Sequence, residues 1–357
     1  GGLTYDWALD TSLAATDGTR LPARFDARFK TVAYSTGVTV PAGYVADRIA
    51  RQNLTAPAGV LPAPWLGPDV LLLADAARER VFELTVGGDL GHHLGDARWT
   101  RPEALARTAG GGLAVADAAG LFATDAFRLT SQPIGAGGPT TTGALAAGSG
   151  AFLDRLYLCD PAGDRLVRTT AAGDAYETFA TGVKGGEGLA FGPGGAWGTD
   201  LFVGDCDLTS LGTSADGPGR IARVTPAGAV STVVQSALLL RAGALAFDTG
   251  GRFGGDLFAA DIVNERVLRI TSGGAVSVFA TGFANLAGSN CLAFGADGAL
   301  YVADPGAGEP FSKPGGSVAQ GQVIRIAPAV LTADAPAAAP GAGLALAPPA
   351  PNPARGA

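Results

Sequence analysis

LLLAD (71–75), LAVAD (113–117), LYLCD (156–160), LFVGD (201–205), LFAAD (257–261) and LYVAD (300–304) are one short phrase written six times. Each is a run of apolar or small residues closed by an aspartate, and successive aspartates lie 42, 43, 45, 56 and 43 residues apart. A continuous apolar run this short reads as a strand buried on both faces. A repeat of about 40–45 residues is the length of one four-stranded propeller blade.

The other strands can be found around this one, here called strand B. PEALA (102–106), EGLAF (187–191), GALAF (243–247) and NCLAF (290–294) precede it as strand A. Strand C follows as RVFEL (80–84), AFRLT (126–130), RLVRT (165–169), RIARV (220–224), RVLRI (266–270) and QVIRI (322–326), with Arg128, Arg168, Arg223, Arg269 and Arg325 in one register. AYETFATG (175–182) and AVSVFATG (275–282) close the unit as strand D. The last repeat lacks a strand D. RFKTVAYSTG (28–37) matches that pattern, so the N-terminal segment is expected to complete the last blade and pair its open edge. PAGYVAD (41–47) then becomes strand A of blade one. The expectation is an all-β, six-bladed propeller over 28–328, an N-terminal extension over 1–27, and an Ala/Pro-rich linker over 329–357 leading to a secretion or anchoring module.

Composition agrees. The chain has 55 Gly, 23 Pro and only 16% charged residues, which suits short buried strands joined by tight turns. The net charge is -7 without a basic cluster, so nucleic acid is not expected as a partner. No apolar run approaches the roughly 18 residues of a transmembrane helix. The chain opens at Gly1 with no export signal, as a processed protein would. Its end, PPAPNPARGA (348–357), resembles the start of C-terminal secretion and anchoring modules of exported bacterial proteins. A secreted or cell-surface bacterial setting and a monomer are therefore expected.

DIVNERVLRI (261–270) resembles the NHL repeat, and NCLAFGADGALYVAD (290–304) resembles blades of the gluconolactonase and regucalcin (SMP-30) family. The resemblance implies the six-bladed fold. It carries less about activity, because this superfold hosts unrelated functions.

The candidate site lies where the repeat varies. Strand A is innermost, and its first residue faces the channel mouth; the column reads Ala42, Glu103, Gly143, Glu187, Gly243, Asn290. Two carboxylates and an amide from alternate blades need protons, water or a hard cation between them, and calcium accepts such oxygens. The family resemblance implies a divalent cation held at such strand starts, which makes Glu103, Glu187 and Asn290 the candidate metal ligands and the two glutamates the candidate catalytic groups. The sequence lacks the family's EGPxW signature and has no aspartate in this column. A water-filled channel stays open beside the calcium reading.

Strand B ends on the same face. The distance from its aspartate to the registered position of strand C is eight residues in blades one, three and five, but 18 in blade four and 21 in blade six. The two long loops, 206–219 and 305–321, can cover the mouth, with Asp207, Glu309, Phe311 and Lys313 as ligand-contacting candidates. Cys206 and Cys291 fall on that face and could be bridged, while Cys159 reads as a small buried residue. The repeated aspartates read as turn-capping groups rather than metal ligands. His92 and His93 are adjacent on a strand and point to opposite faces, which disfavours a shared metal.

Three functions follow as expectations. The first is an exported module binding a small molecule, a glycan or a surface protein at the loop-bearing face, with calcium. The second is a calcium-dependent hydrolase of a lactone or ester. The third is a quinone-dependent sugar dehydrogenase.

Overall fold

The structure is a computed structural model that describes residues 4–9, 25–30, 36–50, 54–124, 131–135, 138–139, 143–170, 173–184, 186–205, 218–286, 288–306 and 321–329. Six four-stranded antiparallel sheets stand in a ring in sequence order. Blade one comprises Pro57–Pro62, Val70–Asp75, Arg80–Thr85 and Leu90–Gly95, and blade two Pro102–Arg107, Leu113–Asp117, Gly120–Ala123 and Gln132–Pro133. Blade three has Leu145–Ala147, Leu156–Asp160, Arg165–Thr169 and Tyr176–Thr181, and blade four Gly188–Phe191, Leu201–Asp205, Arg220–Val224 and Val230–Gln235. Blade five has Ala242–Phe247, Leu257–Asp261, Arg266–Ile270 and Val276–Thr281. In blade six, Leu292–Phe294, Leu300–Asp304 and Gln322–Pro328 are joined by Tyr44–Ala50 as the outermost strand.

That last pairing corrects the sequence assignment. Phe25–Lys30 pairs instead with Thr4–Leu9 in a separate two-stranded sheet, so 28–37 does not complete a blade. The segment read as strand A of blade one is strand D of blade six, pairing Tyr44 with Pro328 and Ala46 with Ile326. Strand A of blade one is Pro57–Pro62, and its place in the inner column falls to Ala58 rather than Ala42. Strand C of blade two is also displaced: Gly120, at φ +135°, turns the chain back directly after Asp117, giving Gly120–Ala123 rather than 126–130. Arg128 lies outside the described residues.

The repeated strand is apolar throughout because both of its faces are buried. Alternate residues point to opposite neighbours. Leu71 and Leu73 pack toward blade six, whereas Leu72 and Ala74 pack toward blade two. Six clusters of this kind fill the six junctions between blades. Aromatic side chains fill several of them. Phe152, Tyr157, Phe179 and Phe191 join blades three and four, and Trp197, Phe202 and Phe247 join blades four and five. Trp197 is buried in its turn and donates from Nε1 to the Gly255 carbonyl at 2.8 Å, so it packs between blades as a structural residue.

The six aspartates are at most 4% exposed. Some accept from the following turn, as Asp117 does from Ala119 N at 2.7 Å and Asp304 from Gly306 N at 3.0 Å. Most of their donors come from the segment entering strand A of the same blade. Asp75 takes Thr55 N and Ala56 N, Asp117 takes Thr100 N and Arg101 N, and Asp304 takes Ala284 N and Asn285 N. Arginines at the start of strand C supply counter-charge, as in Arg165 to Asp160 at 2.8 Å and Arg266 to Asp261 at 2.9 Å. The registered arginines further along that strand pair with acids of the segment joining strands A and B: Arg269 with Asp256 at 2.6 Å, Arg325 with Asp297 at 2.7 Å.

Candidate functional site at the channel mouth

The strand-A segments meet around the axis with little room between them. An ideal Cβ on Gly188 would fall 1.5 Å from the Gly243 carbonyl oxygen, and one on Gly59 would fall 2.4 Å from the Glu103 carbonyl oxygen. Glycine directly after the varying position is therefore required in blades one and four by backbone contact with the next blade.

Asn290 spans the axis. Its Oδ1 accepts the Leu145 amide at 3.3 Å and its Nδ2 donates to the Leu145 carbonyl at 3.4 Å, tying blade six to blade three on the far side of the ring. Its backbone carbonyl accepts Val60 N of blade one at 2.9 Å. The channel is thus bridged by hydrogen bonds at this level.

Glu103 and Glu187 start strand A in blades two and four. Each is held by an arginine that leads into a strand A. Arg101 Nε lies 2.8 Å from Glu103 Oε1 within blade two, and Arg241 of blade five reaches back across the blade junction to Glu187 Oε1. The guanidinium side chains are 41% and 28% exposed, against 12% and 15% for the carboxylates they hold. The acids sit behind and the cations in front. Oε2 of Glu187 is buried without a hydrogen-bond partner.

Burial pushes the Glu103 carboxyl up to about 7; Arg101 opposes this, while the negative charges of Asp117 and Glu187 add to it. Burial also pushes Glu187 up, against its pairing with Arg241. The negative charge of Glu187 is felt at Glu103, as its smallest cause. A carboxyl titrating near neutrality at a cleft is a group able to take or give a proton under ordinary conditions.

As arranged, these residues do not fit a calcium ion. Calcium takes six to eight oxygens with net negative charge around it. Here each carboxylate is already neutralised by a guanidinium, and the Asn290 amide oxygen accepts a backbone N–H. Among the described residues, no group of three His, Cys, Asp or Glu could hold a metal ion. Arg101 and Arg241 are the functional residues that inspection of the column missed. Their signal is positional: each is a lone arginine two residues ahead of the varying position of its own blade.

Asp207, Glu309, Phe311 and Lys313 lie outside the described residues, as does Cys206. Cys291 is a buried free thiol, and its expected partner Cys206 is not among the described residues. His93 contacts Glu83 through Nδ1 at 2.6 Å on the outer side of blade one, away from the mouth.

Fold and inner column together define a six-bladed β-propeller with an acidic, arginine-fronted channel mouth. Its structural neighbours are propellers of the gluconolactonase and regucalcin kind. A gluconolactonase of Xanthomonas campestris is 14% identical and superposes with a TM-score of 0.56, covering 81% of this chain and 91% of that one. A calcium-binding regucalcin of Agrobacterium tumefaciens is 14% identical, with a TM-score of 0.55 over 79% of this chain and 93% of that one. A protein of Thermus thermophilus assigned as a glucose dehydrogenase is 18% identical, with a TM-score of 0.55 over 80% of this chain and all of that one. At these identities the likeness is one of fold. No protein-family model and no curated protein sequence matches the chain.

Proposed function

We propose that the chain is a hydrolase of the lactonase or esterase kind, acting on a small polar ester at the channel mouth. The observation that carries this reading is Glu103, a carboxyl largely withdrawn from water and titrating near neutrality behind an exposed guanidinium. In the reaction, ionised Glu103 takes a proton from water as the water oxygen bonds to the ester carbonyl carbon, and the carbonyl electron pair moves onto oxygen. Arg101 and Arg241 front the cup where that negative charge develops. Collapse breaks the carbon to alkoxy-oxygen bond, and the leaving oxygen recovers the proton from Glu103, giving a hydroxy acid from a lactone. No step passes through a metal ion. The fold shared with a gluconolactonase supports the reading, and the acidic composition and the Pro-Asn-Pro tail support an exported setting.

A panel of lactones and aryl esters tests it, comparing the natural protein with Glu103→Gln. Turnover on at least one lactone is expected, falling about 100-fold or more in the variant, the size of a lost general base. Turnover on none of the panel, with thermal stabilisation by the same compounds, would reject hydrolysis and leave the first expectation, a ligand-binding module.

A further inference from the structure

We infer that Arg101 and Arg241 take the electrostatic place of a divalent cation in this channel mouth, so that the site is complete without metal and meets its ligand's oxygens through guanidinium groups.

Three observations lead there independently. Both acids of the inner column are paired, one by an arginine of its own blade and one by an arginine reaching over from the next blade. The arginine side chains are the more exposed member of each pair, with their Nε atoms buried and the rest of each side chain nearer solvent than the carboxylate it holds. The remaining oxygen donor of the column is committed across the axis to Leu145. A divalent cation arriving at the cup would face two fixed positive charges and would have to displace both before either carboxylate became a ligand. Guanidinium is suited to the substituted role: it stays charged at all working pH values, is weakly hydrated, and offers five donors, so a group holding one carboxylate oxygen can still address another acceptor.

This inference does not depend on hydrolysis, and its test reads binding rather than turnover. Protein stripped with EGTA is titrated with calcium chloride by calorimetry, and its melting temperature is followed with and without the ion. The natural protein is expected to show neither heat nor a melting shift at millimolar calcium. Arg101→Gln/Arg241→Gln, which removes both positive charges while keeping amide donors, is expected to gain calcium binding at about 1 mM or tighter, the range of weak extracellular calcium modules. If the double variant does not fold, Arg241→Gln is compared with Arg241→Lys; the first should gain calcium-dependent stabilisation and the charge-retaining second should not. Calcium binding by the natural protein at or below millimolar concentration overturns the inference, and so does a folded double variant that still ignores calcium.

Discussion

Glu103→Gln should change how stability depends on pH, in a direction and by an amount the mouth defines. The free carboxyl value of 4.5 rises to about 7 in the folded protein. The folded state therefore holds a proton that the unfolded state releases between those two values. That contribution to stability is fully present below 4.5 and is lost as the pH rises through about 7, the sign expected for an acid whose value is raised. A shift of roughly 2.5 units corresponds to about 3 kcal/mol at 1.36 kcal/mol per unit. The attraction of Arg101 is already contained in the value near 7, so it needs no separate correction. Glutamine cannot ionise and keeps nearly the same shape. Urea unfolding followed by tryptophan fluorescence, at steps from pH 5 to 8.5, gives the difference between variant and natural protein at each pH. The variant should gain on the natural protein by about 2.5 kcal/mol across that interval, the remainder of the shift having been lost below pH 5. Other titrating groups act on both proteins and largely cancel in the difference. A difference that stays flat across the interval would refute the perturbed carboxyl, and the general-base role would go with it.

Asp117→Ala deprives the backbone amides of Thr100, Arg101 and Ala119 of their acceptor; at about 1–3 kcal/mol per buried unsatisfied group, partly relieved by water, a loss of about 3–5 kcal/mol is expected in the same unfolding assay. The exposed Asp89→Ala serves as its control, expected within about 0.5 kcal/mol, and equal effects at the two positions would reject the clasp. Gly188→Ala places a methyl against the Gly243 carbonyl of blade five and should cost about 3 kcal/mol or more, seen as lost soluble yield or a lowered melting temperature; an alanine tolerated there would disprove the close blade contact. Asn290→Ala removes two long hydrogen bonds of 3.3 and 3.4 Å and should cost only about 1 kcal/mol, whereas outright unfolding would show that the cross-axis tie holds the ring closed.

The fold was legible because its strongest signal is periodic and two-sided. A strand packed between two blades must be apolar on both faces, so LYVAD announces itself wherever it recurs. The ends of the chain were harder, because RFKTVAYSTG and PAGYVAD both carry strand composition and only pairing separates them. In blade two, Gly120 allows a turn directly after Asp117, and composition does not distinguish that early turn from a longer loop. The positions of Glu103, Glu187 and Asn290 on the inner column could be read by aligning repeats. Their partners could not. Arg241 reaches its glutamate across a blade junction, over 54 residues of sequence, and no local pattern encodes a contact made only when the ring closes. The calcium reading counted oxygens without the cations that already held them.

The repeated aspartates and the symmetry-breaking site are physically connected. Asp117 accepts the backbone amide of Arg101 at 2.7 Å, and Asp261 accepts that of Arg241 at 3.3 Å. Each clasp fixes the main chain where it enters strand A, and so fixes the origin of an arginine side chain at the mouth. The same clasp in blade one holds Ala56, and in blade six Asn285, where no arginine follows. The scaffold thus presents an equivalent anchored position in several blades, occupied by a different side chain from blade to blade. Two anchored arginines pair with two half-buried acids, in a ring tied across by Asn290, so the polar groups described at the mouth are held by the blades themselves. Replacing a clasp aspartate should therefore disturb the mouth as well as the blade. Asp117→Asn removes the negative charge that helps raise Glu103, so the Glu103 titration should move down from about 7 where the blade stays folded and Arg101 keeps its place.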